Sequence, residues 1–294
     1  MTITALRTPD TRFADLPGYA FAPHWYEHAN GLRMHYLDEG SGAATFLCLH
    51  GQPSWSYLYR KMIPVLAHAG RVVAPDLFGF GKSDKPVEPE TYTFDFHRQS
   101  LVDLIVALDL RNVTLVCQDW GGLLGLTIPP FMADRFTRLI VMNTGFATGE
   151  VPLGPGFAAW KAFNRSQPDL DLAALFRRAS PILSAAEAAA YAAPYPDAAY
   201  KAGVRQFPEL VPDSPDAGGA HLSRAARDWW RDHWAGQSFM AVGAADPVIG
   251  VDAMAALRRT IRGCPEPLVI PEAGHFVQEW GEQVATAALA AFAA

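Results

Sequence analysis

One stretch of the chain passes from apolar to reactive within ten residues: Val113-Thr114-Leu115-Val116-Cys117-Gln118-Asp119-Trp120-Gly121-Gly122. A β-branched strand meets a carboxylate, then two glycines, then a helical pattern. That order predicts a sharp strand-to-helix turn exposing one side chain above a sheet. Cys117, Gly121 and Gly122 are small enough for strand and helix to approach closely. Asp119 occupies the exposed position, so the predicted chemistry is nucleophilic attack by a carboxylate; the competing reading is a plain helix N-cap. Downstream, Pro271-Glu272-Ala273-Gly274-His275-Phe276 sets His275 in a loop after a short strand, where it could act as a general base. An acid to orient that imidazole is expected between the two, at the end of a strand. Met240-Ala241-Val242-Gly243-Ala244-Ala245-Asp246-Pro247 supplies Asp246. The other place for an acid, after Leu139–Met142, holds Asn143, and an amide cannot stabilise an imidazolium by charge. His50-Gly51-Gln52-Pro53 follows another apolar strand, and its glycine turn could aim the Gln52 backbone N–H at an oxyanion, beside that of Trp120.

These residues need a rigid frame, and the pattern predicts one. Apolar alternation over Leu32–Leu37 suggests an early hairpin. Short apolar runs at Thr45–Leu49, Arg71–Pro75, Val113–Cys117, Leu139–Met142, Phe239–Val242 and Leu268–Ile270 read as strands. Helical patterns at Ser56–Ala67, Phe96–Leu108, Leu123–Ile128 and Val284–Phe292 alternate with them. Unbroken apolar strands between helices predict an α/β fold with a mostly parallel central sheet covered by helices on both faces. The rhythm breaks from about 149 to 222, a Pro- and Ala-rich segment with helical patterns and no strand. It is expected to be an all-helical cap inserted into one core formed by 1–148 and 223–294.

Composition narrows the function classes. The 294 residues carry 24 Lys and Arg against 30 Asp and Glu, a net charge of −6. A chain without basic clusters is a poor match for nucleic acid. Eight Trp, nine Tyr and 17 Phe point to a roomy apolar pocket. Three cysteines, Cys48, Cys117 and Cys264, give neither a disulfide framework nor a Cys-x-x-Cys metal spacing. The residues from Met1 to Ala5 lack a basic patch before an apolar run, and no run is long enough to span a bilayer, so a cytoplasmic location is expected. Gly79-Phe80-Gly81-Lys82-Ser83 ends like a phosphate loop, but Asp76 stands where the leading glycine belongs. His24 and His28 lack the zinc-protease order, and no metal site is expected.

Taken together, His50-Gly51-Gln52-Pro53-Ser54-Trp55, Pro75 through Asp84, Gln118 through Gly122 and Gly274-His275-Phe276-Val277-Gln278-Glu279 resemble the haloalkane dehalogenases of the α/β-hydrolase superfamily. The likeness runs from about His28 to the C-terminus. The chain order nucleophile, acid, histidine is also that of this superfamily. The resemblance implies hydrolysis of carbon–halogen bonds through an alkyl ester on Asp119, with His275 activating water and Asp246 orienting His275. It further implies halide binding by the indoles of Trp120 and of Trp160, which matches a cap tryptophan of one branch. Phe157, one turn earlier, is expected to line the same substrate pocket. The implied partners are a small apolar halogenated substrate, halide and water, with no cofactor; a monomer is expected. Gln52 departs from the glutamate of the best-known member of that branch. An epoxide hydrolase is the alternative, with Tyr191, Tyr195 or Tyr200 as lid donors, although Gln118 stands where those enzymes typically carry histidine.

Overall fold

The computed structural model describes residues 3–293; Met1 and Thr2, part of the stretch read for a leader, lie outside them. Eight strands form the main sheet: β2 (His24–Glu27), β3 (Arg33–Glu39), β4 (Thr45–Leu49), β5 (Arg71–Pro75), β7 (Val113–Gln118), β8 (Phe136–Met142), β9 (Gln237–Gly243) and β10 (Leu268–Ile270). A separate short pair joins β1 (Ala5–Leu6) to β6 (Lys85–Pro86). The order across the sheet is β10-β9-β8-β7-β4-β5-β3-β2. β2, β3 and β5 are joined antiparallel, and the other neighbours are parallel. The early hairpin is therefore β2–β3.

The apolar runs form strands because both sheet faces are covered, so every residue of β4 and β7 is buried. The helices of the core are α1 (Ile63–Ala67), α2 (Phe94–Ala107), α3 (Trp120–Gly125), α8 (Ala220–Asp232), α9 (Val251–Thr260) and α10 (Gly281–Ala293). Between β8 and α8 lie α4 (Pro155–Ser166), α5 (Leu172–Ala179), α6 (Ala185–Ala192) and α7 (Ala202–Leu210). α8 begins before residue 222 and anchors to the core, its Trp230 Nε1 donating to Leu126 O at 2.7 Å. Among the described residues no helix is long and apolar enough to cross a membrane.

One predicted helix is divided. Ser56–Ala67 is a 3₁₀ turn over Ser56–Tyr59 and then the short α1. Pro64 lacks the N–H that an interior helical position uses, so it is best accommodated in a first turn, where α1 places it. The Ser56 N–H is meanwhile drawn to the Asp76 carboxylate at 2.7 Å.

The topology sets the place of the site. After β4 the chain adds β5 on one side, then returns to add β7 on the other. Crevices at the carboxyl ends of strands around such a switch point are where open α/β sheets bind ligands. The ends of β4 and β7 are in register at Leu49 and Cys117, and those of β7 and β8 at Gln118 and Met142.

Candidate active site

Asp119 follows β7 at the first position of the turn into α3, with φ 51° and ψ −126°. A non-glycine residue held there costs roughly 1–3 kcal/mol and persists only where its surroundings over-determine it. Here the Asp119 N–H donates to Asn143 O (3.0 Å), and Asp119 O accepts from Gly122 and Leu123 N–H and from Thr144 Oγ1 (2.7 Å). Gly121 makes the turn possible, since a Cβ there would lie 1.9 Å from Leu49 O. The N-cap alternative fails on one observation: the Asp119 side chain makes no capping hydrogen bond to α3. Its Oδ1 accepts instead from the Gln52 backbone N–H at 2.7 Å.

The other predicted residues converge on the same carboxylate. His275, in the loop after β10, lies with Nε2 3.4 Å from Asp119 Oδ2. Its Nδ1 donates to Asp246 Oδ2 at 2.8 Å. Asp246, after β9, is buried and takes further hydrogen bonds from Val248 and Ile249 N–H on Oδ1 and from Asn143 Nδ2 on Oδ2 (2.9 Å). Burial alone would raise the Asp246 pKa, but the neighbouring His275 and these donors outweigh it and hold it at about 2. Burial pulls His275 down, yet the charge of Asp246 and the contact with Asp119 push it up to about 10. The three groups leave an imidazole poised between two carboxylates.

A cavity of roughly 730 Å³ opens over this group, within the roughly 300–1,000 Å³ of small-molecule sites. Asp119, His275, Gln52, Trp120, Phe157 and Trp160 all line it. Phe157 and Trp160 lie three apart on α4, on one helix face. The Trp120 ring is held from behind by Phe207 of α7, at 4.8 Å between centroids. Trp230 Nε1 is spent on Leu126 O and Trp234 Nε1 on Ser238 Oγ, whereas the indoles of Trp120 and Trp160, which line the cavity, donate to none of the described residues. α4 reaches the acid loop directly: Gly156 packs so close that a Cβ would lie 2.1 Å from Pro247 O. Gln52 Nε2 donates to Val204 O of α7 at 2.8 Å, a bond that a glutamate there could not donate.

Two residues act on this group without having been predicted to. Asn143 was considered only as a failed acid, yet its amide fastens the Asp246 loop through Gly243 N–H and O, Ile249 O and Asp246 Oδ2. Gln118 contacts His275. Position at a strand end was the available signal for both. The Trp120 N–H, expected to pair with that of Gln52, sits in the first turn of α3; the resting Asp119 carboxylate takes its backbone bond from Gln52.

The chain has close counterparts among known proteins. The alpha/beta hydrolase fold family matches residues 44–282. A haloalkane dehalogenase of Psychrobacter cryohalolentis is 44% identical over 95% of both chains. The chain belongs to the haloalkane dehalogenase family. A member from Mycolicibacterium paratuberculosis is 41% identical over 93% of both chains. The solved tetrameric haloalkane dehalogenase DpaA of Paraglaciecola agarilytica superposes with a TM-score of 0.96 at 52% identity over 98% of each chain. The dehalogenase DatA of Agrobacterium tumefaciens superposes at 0.78 with 26% identity, covering 97% of this chain and 98% of its own. The expected α/β-hydrolase fold and hydrolase class are those of its relatives.

Proposed function

We propose that the chain hydrolyses halogenated alkanes with Asp119 as nucleophile, His275 as general base and Asp246 as the acid that orients it. The observation carrying this reading is an elbow carboxylate that caps no helix, takes the Gln52 N–H, and faces an apolar cavity beside two unspent indole N–H groups. The Asp119 carboxylate attacks the halogenated carbon, the carbon–halogen bond breaks, and halide leaves with the bonding electrons. Indoles of Trp120 and Trp160 donate to that growing anion and carry no acceptor to repel it. His275 Nε2 then takes a proton from water as the hydroxide adds to the ester carbon of Asp119. The Gln52 N–H, already on Oδ1, stabilises the oxyanion, with the Trp120 N–H as second donor. Collapse breaks the ester carbon–oxygen bond and releases the alcohol; the proton leaves through His275.

Residues 149–222 act as the cap in this reading, bringing Phe157 and Trp160 over the nucleophile. The epoxide-hydrolase alternative loses its donors: Tyr191 and Tyr195 are buried, and none of Tyr191, Tyr195 or Tyr200 lines the cavity. Tyr191 O–H donates to Glu279 instead. The tetrameric relative favours an assembly over the expected monomer, which light scattering would determine. Buried free Cys48, Cys117 and Cys264 agree with a cytoplasmic location.

The test is incubation with 1,2-dibromoethane, following bromide, beside styrene oxide, following diol. Bromide release is expected, and diol formation without bromide release overturns the reading. In His275→Ala, mass spectrometry should find the alkyl group on the peptide containing Asp119.

A further inference from the structure

Gln118 ends β7, immediately before Asp119, and is fully buried. Its amide nitrogen makes two bonds to one residue: it donates to His275 O at 3.0 Å and to His275 Nε2 at 2.9 Å. The carbonyl contact settles the orientation of the amide. An oxygen at that place would face the His275 oxygen with no proton between them. The Gln118 Oε1 is buried without a partner, so among the described residues the amide's hydrogen bonds go to His275 alone. An NH₂ group cannot accept. Toward the neutral ring, therefore, the Gln118 amide meets the Nε2 lone pair, with the ring proton on Nδ1, where Asp246 accepts it.

We propose that Gln118 is a positioning residue for His275, holding the ring in place and keeping Nε2 unprotonated while the Asp119 ester awaits water. The proposal rests on the reading of His275 as the base. The titratable groups facing the ring are Asp246, from the loop after β9, and Asp119, from the elbow; Gln118 is the neutral donor from β7. Both carboxylates favour the imidazolium. Esterification neutralises Asp119 and removes one of them. The Gln118 donor fits only the neutral ring, so it works in the same direction at the stage when a free base is needed. Asp246 alone then favours the cation.

Gln118→Met removes the donor at similar volume, and Gln118→Glu replaces it with an acceptor. Rapid quench with 1,2-dibromoethane across a pH series separates bromide release from alcohol release. In both variants ester formation should stay within about threefold of the parent. Ester hydrolysis at neutral pH should slow roughly tenfold, a fraction of the roughly 10²–10⁴-fold that a placed base contributes. Its acidic limb should move up by about one pH unit in Gln118→Met and further in Gln118→Glu. kcat and KM should fall together as the ester accumulates. A folded Gln118→Met with the parent's hydrolysis rate and limb overturns the proposal; should it fail to fold, Gln118→Glu decides by the same readout. His275→Ala, run alongside, separates the two failures. If it hydrolyses the ester like the parent, the reading of the base itself falls. If it traps the ester while Gln118→Met turns over normally, only the role of Gln118 falls.

Discussion

Two histidine–aspartate pairs of the molecule share nearly the same geometry, one fully buried and one opening on the cavity. His35 Nδ1 meets Asp76 Oδ2 at 2.7 Å, and His275 Nδ1 meets Asp246 Oδ2 at 2.8 Å. Each aspartate follows a parallel-sheet strand, and each is saturated: Asp76 also accepts from Ser56 and Lys82 N–H. The far nitrogens differ. His35 Nε2 is buried with no partner, while His275 Nε2 faces Gln118, Asp119 and the cavity. Burial therefore wins at His35 and lowers its pKa, whereas at His275 two carboxylates win and raise it. A histidine–aspartate pair is thus a structural clamp by default. It becomes a candidate base where its second nitrogen meets a reactive carboxylate and a cavity.

The sharpest way to break this contrast is to remove each ring. His275→Ala should lower turnover by roughly a thousandfold or more. Folded His35→Ala should stay within a few-fold of the parent in kcat, measured by bromide release. Equal losses in the two variants would erase the distinction.

The next effect is on stability. Asp76→Asn leaves its buried donors without a charged acceptor and should cost about 3 kcal/mol in urea unfolding, with kcat per folded molecule nearly unchanged. The Asp76 pKa is held at about 2: burial opposes this, but His35, His50 and the Ser56 N–H outweigh it. A depressed folded pKa gives stability that is present above about 4 and lost as pH falls toward 2. Asp76→Asn should flatten that part of the acid profile, and an unchanged profile would remove Asp76 from the clamp.

The smallest effect sets two tryptophans against each other. Trp160→Phe should weaken bromide binding about tenfold, read by fluorescence quenching. Trp234→Phe, whose indole N–H is committed to Ser238, should leave it unchanged.

Much of this was legible in the residues. The runs at Thr45–Leu49, Arg71–Pro75 and Leu268–Ile270 form strands with those bounds, because short, largely apolar runs suit a sheet covered on both faces. Asp119 stood out because a carboxylate between a strand and two glycines is a poor loop and a good elbow. Other features were hidden. Ser56–Ala67 has helical spacing, but the pull of Asp76 on Ser56 and the missing N–H of Pro64 divide it. Asn143 looked like an absence of charge, and its value lies in four hydrogen bonds to a loop about a hundred residues away. Gln118 looked like the end of a strand.

Residue type and order by themselves determined the α/β architecture, the carboxylate at the turn and the candidates for base and acid. These follow from local rules: periodicity selects elements, and only small residues fit a tight strand-to-helix turn. Tertiary structure alone decided which histidine–aspartate pair faces a cavity, which indoles keep a free N–H, and which way the amide of Gln118 points. Those properties depend on what occupies the far side of a side chain, and that neighbour comes from a distant part of the chain.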